Sequence, residues 1–283
     1  MNQVALIVDV EKCCYCNNCF LSDKDEHVGN DWLPTALAQP RHGHRWIDIL
    51  RKERGTHPMV DVAYLPTMCN QCRRPSCAKA GPSGAVYQRS DGIVIIDPIM
   101  ARGHREIVEA CPYGHIWWND EEQVPQKWTM NAHLLDSGWH EPRCTQTCPT
   151  EALRFVTVDD GELAALVADE RLEVLHPEWD TGPRVYYRNL YRYASAFVGG
   201  TLTEVREGRE ECAAGVGVAL LRAGTEVAST TSDVFGEFKF DGLGEGSGAY
   251  EVVARPGSAP APSIPVVLGS SVYLGIIPLP WRR

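Results

Sequence analysis

The sequence lacks a hydrophobic run long enough to cross a bilayer, and it has no excess of positive charge. The apolar run Val4–Val8 has five residues, whereas a membrane-spanning helix needs about 20. The run also lacks the basic leader of a signal peptide. The formal net charge of −10 argues against nucleic-acid binding, which depends on neutralising phosphates. We therefore expect no membrane span and no nucleic-acid partner.

Cysteine, by contrast, is abundant, with 11 in 283 residues. Disulfide bonds would explain that number in a small secreted protein, but this chain is longer than such proteins. Thiols that bind metal need a reducing compartment. We therefore expect metal-binding thiols in a cytoplasmic protein.

Eight of the cysteines fall into two triples and two Cys-Pro pairs. These sets are Cys13, Cys16, Cys19 (C-x2-C-x2-C), Cys69, Cys72, Cys77 (C-x2-C-x4-C), Cys111-Pro112 and Cys148-Pro149. The first spacing wraps three thiolates around one face of an iron–sulfur cubane, and the fourth thiolate comes from elsewhere, usually from a Cys that precedes Pro. The pattern predicts 4Fe–4S clusters.

The segments around these cysteines predict a ferredoxin-like module. Val4–Val10 is expected to form a strand before the first triple, and residues 84–88 and 92–97 are expected to form a strand pair. A helix from Ile99 to Ala110 should lead to Cys111, and a strand at Leu153–Val158 should follow Cys148. Asp159 and Asp160 should then cap a further helix, and residues 176–193 should form an extended tail that wraps over the module. The order triple, strand pair, helix and Cys-Pro is typical of bacterial ferredoxins. We predict an α+β fold with a duplicated bacterial-ferredoxin-like 4Fe–4S module that carries insertions.

The composition changes after about residue 194. Glycine becomes frequent, and short alternating apolar runs separated by turn residues predict an all-β sandwich. The predicted strands are Val216–Leu221, Glu226–Thr231, Glu237–Phe240, Tyr250–Ala254, Ile264–Leu268 and Val272–Ile276. The string Ser229–Phe240 resembles a prealbumin-like (carboxypeptidase-regulatory-like, Ig-like) sandwich. We predict an iron–sulfur domain with a wrapping tail at 1–194 and a sandwich domain at 195–283.

The four cysteine groups, in this order and with a long insertion between the first two, resemble the iron–sulfur subunits of molybdopterin oxidoreductases of the dimethyl-sulfoxide-reductase class. Within that family, several strings are most similar to small subunits of transhydroxylases. These strings are Cys16–Phe20, Gly43–Trp46, Gly84–Arg89, Asp91–Ile93, Arg184–Tyr187 and Phe235–Phe240. The likeness extends over nearly the whole chain.

This resemblance implies a non-catalytic subunit in a heterodimer. The large catalytic partner would carry molybdenum in bis-molybdopterin guanine dinucleotide (bis-MGD) and bind the substrate. The expected reaction hydroxylates or transhydroxylates polyhydroxylated aromatics of the pyrogallol or resorcinol type. The alternatives are an electron-transfer subunit of another molybdopterin oxidoreductase, such as a catechol dehydroxylase, and a structural scaffold.

The chain departs from the family pattern at three cysteine positions. Asp23 stands where the first group has its fourth Cys, and Trp128 and Asn131 replace a C-x2-C pair. In nested modules the fourth Cys of one group binds the neighbouring cluster, so these three positions and Cys144 would serve a single cluster. We interpret the changes as the loss of that whole cluster.

Eight ligands then remain for two 4Fe–4S clusters. The expected sets are Cys13, Cys16, Cys19 and Cys148 for one cluster, and Cys69, Cys72, Cys77 and Cys111 for the other. An exchanged pairing, with Cys111 completing the first triple, is the alternative. Zinc is the alternative metal, because four-thiolate zinc sites also use C-x2-C pairs. Cys14, Cys144 and Cys212 are left over.

The cluster number can be measured directly. Iron and sulfide analysis of anaerobically prepared protein should give about eight of each per chain, the content of two cubanes. A content near that of three cubanes would refute the loss of a cluster.

Overall fold

A computed structural model describes residues 2–255 and 262–280. The chain divides into two compact units. The first contains the residues up to Leu50 together with Tyr64–Leu190, and the second contains Arg51–Ala63 together with the residues from Tyr191 onwards. The predicted boundary between residues 194 and 195 stays a prediction, and the structure adds a short early segment to the second unit.

The described residues are mostly β-structure, with few and short helices. The strands up to residue 188 are β1 (Gln3–Asp9), β2 (Ile47–Thr56), β3 (Met59–Met68), β4 (Val86–Gln88), β5 (Val94–Ile96), β6 (Trp117–Asn119), β7 (Val124–Gln126), β8 (Leu153–Val158) and β9 (Val185–Arg188). The later strands are β10 (Ala196–Arg206), β11 (Arg209–Cys212), β12 (Gly217–Arg222), β13 (Thr225–Thr231), β14 (Glu237–Leu243), β15 (Gly248–Arg255), β16 (Ser263–Leu268) and β17 (Val272–Pro278). The helices are α1 (Asn18–His27), α2 (Glu106–Glu109), α3 (Ala132–Asp136), α4 (Arg143–Gln146), α5 (Asp160–Asp169) and α6 (Tyr191–Ala194). Within 2–255 and 262–280, no helix is both long and apolar enough to cross a membrane.

Strand β1 is the centre of the main sheet of the first unit. It pairs antiparallel with β8, where Val8 faces Leu153, and parallel with β9, where Leu6 faces Val185. A central strand is covered on both faces, so an unbroken apolar run suits it better than an alternating one. The residues from Val4 to Val8 are accordingly all buried. The predicted strand is confirmed.

The helix predicted from Ile99 to Ala110 is wrong over most of its length, because only α2 is helical. The Asp97 carboxylate accepts hydrogen bonds from the backbone N–H groups of Ile99 and Met100, which favours a turn over a helix. Gly103 then takes a φ of 82°, a left-handed conformation that interrupts a right-handed helix. The apolar spacing alone could not reveal these two local features.

Helix α5 begins with a capping box. The Asp159 side chain accepts from the backbone N–H groups of Gly161 and Glu162, and the Glu162 side chain accepts from the Asp159 N–H. These bonds satisfy N–H groups that have no partner within the helix. The predicted start of this helix is confirmed. The wrapping tail predicted at 176–193 contains a sheet strand, β9.

The second unit contains two four-stranded sheets. Strands β11, β10, β14 and β17 form one sheet, and β13, β12, β15 and β16 form the other. Apolar side chains from both sheets, such as Val198, Phe238 and Val252, share one hydrophobic cluster. The six predicted strands are present, and the prealbumin-like or Ig-like subtype of sandwich stays a prediction.

The sequence did not reveal β10, the longest strand of this unit. Its centre contains Gly199 and Gly200, which weaken a strand pattern because glycine has no side chain to pack. A Cβ atom on Gly200 would lie 2.9 Å from the Phe238 ring. The glycine therefore makes room for an aromatic side chain of the core.

Buried charges connect the segment 51–63 with the rest of the second unit. The Arg54 side chain is 1% exposed and forms ion pairs with Asp61 and with Asp241, the latter at 2.8 Å. Asp61 also pairs with Arg192 at 2.8 Å and Lys239 at 3.3 Å. Burial opposes ionisation of Asp61, but hydrogen bonds from Arg54 and Arg192 outweigh it and lower its pKa to about 2.

Replacing Asp61 by Asn should destabilise the protein, because three cations lose a shared carboxylate. We expect a loss of about 3 kcal/mol in the free energy of unfolding at pH 7, measured by chemical denaturation. Since the pKa of Asp61 is depressed, its contribution is complete above its ordinary pKa and disappears as the pH falls towards 2. The difference between Asp61→Asn and the parent protein should shrink accordingly.

Glu226→Gln is the matched control, because Glu226 forms an exposed pair with Arg255 at 2.8 Å. It should change the free energy of unfolding by less than about 1 kcal/mol. Equal effects of the two substitutions would contradict the importance of the buried charges.

Candidate metal centres

A first cavity is lined by thiols from two segments of the first unit that are far apart in the sequence. Cys13, Cys16 and Cys19 come from the loop after β1 and the start of α1, and Cys148 comes from the turn between α4 and β8. They line an open cavity of about 290 Å³. Cys14 lines it too, and apolar side chains such as Leu153 complete the wall. The pairing of β1 with β8 brings the two segments together.

The loop that carries the first triple has an unusual backbone. Tyr15 and Asn17 have φ values of 61° and 62°, a region that non-glycine residues rarely occupy. This conformation lets a seven-residue loop turn all three cysteines of the triple towards one cavity. The thiol of Cys148 accepts a hydrogen bond from the backbone N–H of Ala152 at 3.2 Å.

A second cavity, of about 360 Å³, is lined by Cys69, Cys72, Cys77 and Cys111. Gln71 lies two positions after Cys69 and has a φ of 49°, just as Tyr15 lies two positions after Cys13. A short 3-10 helix, Ser76–Lys79, carries Cys77. The two triples thus share a left-handed residue at the same position.

Burial dominates the acidity of these thiols. It raises the pKa of Cys13 and Cys72 to about 11 and that of Cys19 and Cys77 to about 12. Burial also raises the pKa of Cys111, although backbone N–H groups from Tyr113 to His115 oppose the rise. The free thiols are therefore protonated at neutral pH, and a bound cation would have to displace their protons.

The structure groups the first triple with Cys148 and the second triple with Cys111, and it does not bring Cys111 to the first triple. Within residues 2–255 and 262–280, no three His, Cys, Asp or Glu side chains are placed to hold one metal ion. A zinc ion needs its thiolates about 2.3 Å from a single point. The structure thus gives two sets of four thiols, each lining one cavity, in place of a preformed single-ion site.

A third site, the buried cage, lies where the family pattern has further cysteines. Its members, all at most 1% exposed, are Asp23, His27, Trp128, Asn131 and Cys144. Helix α1 supplies the first two, the segment before α3 supplies the next two, and α4 supplies Cys144. The amide Nδ2 of Asn131 lies 3.3 Å from His27 Nε2, which lies 3.8 Å from Asp23 Oδ1.

One backbone feature of the two cysteine loops is also present in the cage. Met130 lies two positions after Trp128 and has a φ of 57°. This is the position that Tyr15 occupies after Cys13 and Gln71 after Cys69. The left-handed residue is therefore present in all three loops, although the third has Trp128 and Asn131 in place of cysteines.

The cage is polar but poorly hydrogen-bonded. Asp23 Oδ1, His27 Nδ1 and Trp128 Nε1 have no hydrogen-bond partner in the described part of the chain. Burial raises the pKa of Asp23 to about 7 and lowers that of His27 to about 3. Both side chains are therefore held towards their neutral forms. His27 was not among the predicted site residues. Its spacing of four from Asp23 would have placed the two side chains next to each other on a helix.

Comparisons with known proteins agree with this cysteine arrangement. The family described as "4Fe-4S dicluster domain" matches residues 60–158. The pyrogallol hydroxytransferase small subunit of Pelobacter acidigallici is 44% identical over 99% of this chain and 100% of its own length. The arsenate respiratory reductase iron–sulfur subunit of Shewanella sp. strain ANA-3 is 26% identical over 69% of this chain and 100% of its own length. The dimethylsulfide dehydrogenase subunit beta of Rhodovulum sulfidophilum is 33% identical over 56% of this chain and 50% of its own.

The unusual acidity of Asp23 gives a pH-dependent prediction. Because its pKa in the folded protein is raised, the free energy of unfolding should decrease as the pH rises from the ordinary pKa of an aspartate to about 7, and then level off. Asp23→Asn should nearly match the parent protein at pH 4 and exceed it at pH 8 by roughly 1–4 kcal/mol, since one pKa unit corresponds to about 1.4 kcal/mol. Chemical denaturation at both pH values measures the difference.

Asp25→Asn is the control, because Asp25 lies on the same helix with its side chain 71% exposed. Its effect should stay below about 1 kcal/mol at both pH values. A lower stability of Asp23→Asn at pH 8 would show that the buried carboxylate is ionised and stabilising.

Proposed function

From the premise that this chain belongs to the iron–sulfur subunits of the molybdopterin oxidoreductase family, we propose that it is the small subunit of a molybdenum enzyme acting on polyhydroxylated aromatics. The reaction would be a hydroxylation or transhydroxylation of the pyrogallol or resorcinol type. The full-length identity of 44% with a pyrogallol hydroxytransferase small subunit supports this choice.

We assign a 4Fe–4S cluster to each of the two thiol-lined cavities. When bound, such clusters store and pass single electrons. Cys13, Cys16, Cys19 and Cys148 would hold one cluster, and Cys69, Cys72, Cys77 and Cys111 the other. The four thiols of each cavity, its apolar walls and the left-handed residue that the two triples share fit a cubane. This fit is the observation that carries the proposal.

The buried cage would hold no cluster. Three of the four positions carry Asp23, Trp128 and Asn131, and only Cys144 could supply a thiolate. The indole of Trp128 is fully buried, so this position supplies neither a thiolate nor an exposed side chain.

The aromatic substrate would bind on a large partner subunit that carries the bis-MGD molybdenum. In this arrangement the small subunit takes part through electrons, or through structure alone, and makes no contact with the reacting atoms. Metal binding also contributes folding free energy, so a structural role for one cluster is compatible with the same ligands.

The cage favours transhydroxylation over a hydroxylation that exports electrons. Helix α1 joins the cage to the first triple, and the Trp128 carbonyl accepts a hydrogen bond from Gln71 in the second triple. If the cage is the place of a lost relay cluster, electrons would have to pass between the two cavities without that relay. Transhydroxylation has no net redox change and tolerates such a gap, whereas electron export through both clusters would be slowed.

The function can be tested by assaying the chain with and without its partner. The complex purified from the native source should contain molybdenum and convert pyrogallol-type phenols without an added electron acceptor. The isolated small subunit should show no turnover. Conversion that requires an electron acceptor would favour a hydroxylase, and activity with catechols alone would favour a dehydroxylase. Turnover by the isolated chain would overturn the assignment as a non-catalytic subunit.

A further inference from the structure

A buried lysine without a carboxylate partner lies beside the second cavity. Lys127 is 2% exposed and is among the largest fully buried side chains of the described residues. Across 2–255 and 262–280, no carboxylate lies within 4.0 Å of its ammonium group, whereas the buried Arg54 has two such partners. An unpaired buried cation costs several kcal/mol, so this position requires an explanation.

The contacts of Lys127 place its charge behind the wall of the second cavity. Its Nζ donates to the backbone carbonyl of Val94, a residue that lines that cavity. A second bond, of 3.3 Å, runs to the Trp128 carbonyl, which also accepts from Gln71 Nε2 at 2.9 Å. Gln71 lies between Cys69 and Cys72. The ammonium group is thus fixed by backbone carbonyls next to the thiol loop.

The thiols of Cys72 and Cys77 lie close enough to this ammonium group for its positive charge to favour their thiolate forms. The two carbonyl contacts alone do not neutralise a cation. Its counter-charge must therefore be something that the cavity holds.

We propose that the Lys127 ammonium group is the counter-charge of an iron–sulfur cluster bound by Cys69, Cys72, Cys77 and Cys111, and that it raises the reduction potential of that cluster. This inference rests on the proposed function, which places a cluster in the second cavity. Lys127 acts on the cluster through its charge and is not itself a ligand.

The sign follows from simple electrostatics. A cubane held by four thiolates is anionic, and reduction adds one more negative charge. A fixed cation in a low-dielectric interior stabilises the reduced form more than the oxidised form. Net charge and nearby charges are among the factors that set the potentials of such clusters. Removing the charge should therefore make the second cluster harder to reduce, while the first cluster should respond less.

The experiment is a redox titration of the complex followed by electron paramagnetic resonance. Lys127→Met keeps the length of the side chain and removes its charge. We expect the ratio of reduced to oxidised second cluster to fall at least tenfold at a given applied potential, which is about 59 mV for one electron. Lys127→Arg should stay close to the parent protein. A Cys148→Ser variant, altered only in the first cavity, assigns the two signals.

Lys24→Met is the matched control. Lys24 lies in the same unit, is partly buried and also donates to a backbone carbonyl, that of Pro40, at 2.6 Å. It does not contact the second cavity. Its replacement should leave the potential of the second cluster unchanged.

Each outcome decides the proposal. An unchanged potential in Lys127→Met, or in Lys127→Gln if the Met variant does not load iron, overturns it. If neither neutral variant loads the second cavity but Lys127→Arg does, the charge is needed for assembly and the proposal is supported. If Lys127→Arg fails as well, side-chain packing and not charge explains Lys127, and the proposal falls. The absence of iron from the parent protein would instead refute the proposed function.

Discussion

The pairing of β1 with β8 is the interaction on which the first thiol-lined cavity depends. The first triple follows β1 and Cys148 precedes β8, so the register that sets Val8 opposite Leu153 also sets the two cysteine segments side by side. Hydrophobic burial of β1 on both faces stabilises the sheet, and the backbone hydrogen bonds between the two strands hold this register. The same strand pairing therefore determines both the core of the sheet and the positions of the cysteine segments at the cavity.

The sequence predicted what depends on local spacing and missed what depends on distant partners. The cysteine triples, β1 and the start of α5 follow from residues that are neighbours in the chain. The role of Arg54 could not be predicted, because its charge is neutralised by Asp241, far along the sequence. Nothing in the sequence distinguishes Lys127 from a surface lysine, and only the structure shows that it is buried without a carboxylate partner. The helix predicted before Cys111 failed because the Asp97 side chain holds a turn and Gly103 is left-handed.

The buried cage combines a backbone feature of the cysteine loops with different side chains. Its left-handed residue, Met130, corresponds to Tyr15 and Gln71 in the two triples, yet its side chains are an acid, an imidazole, an indole, an amide and a single thiol. These groups are buried with several unsatisfied polar atoms, and an apolar core would be cheaper to bury. The burial of these polar groups therefore lowers the stability of the folded protein, and the packing of the surrounding residues must offset this loss.

The assignment of segment 51–63 to the second unit has a consequence for how the protein is made. A ribosome synthesises this segment long before Lys239 and Asp241, with which Asp61 and Arg54 form ion pairs. Until then, Arg54 and Asp61 can pair only with each other. The early segment therefore cannot complete its ion pairs before the last third of the chain has been synthesised.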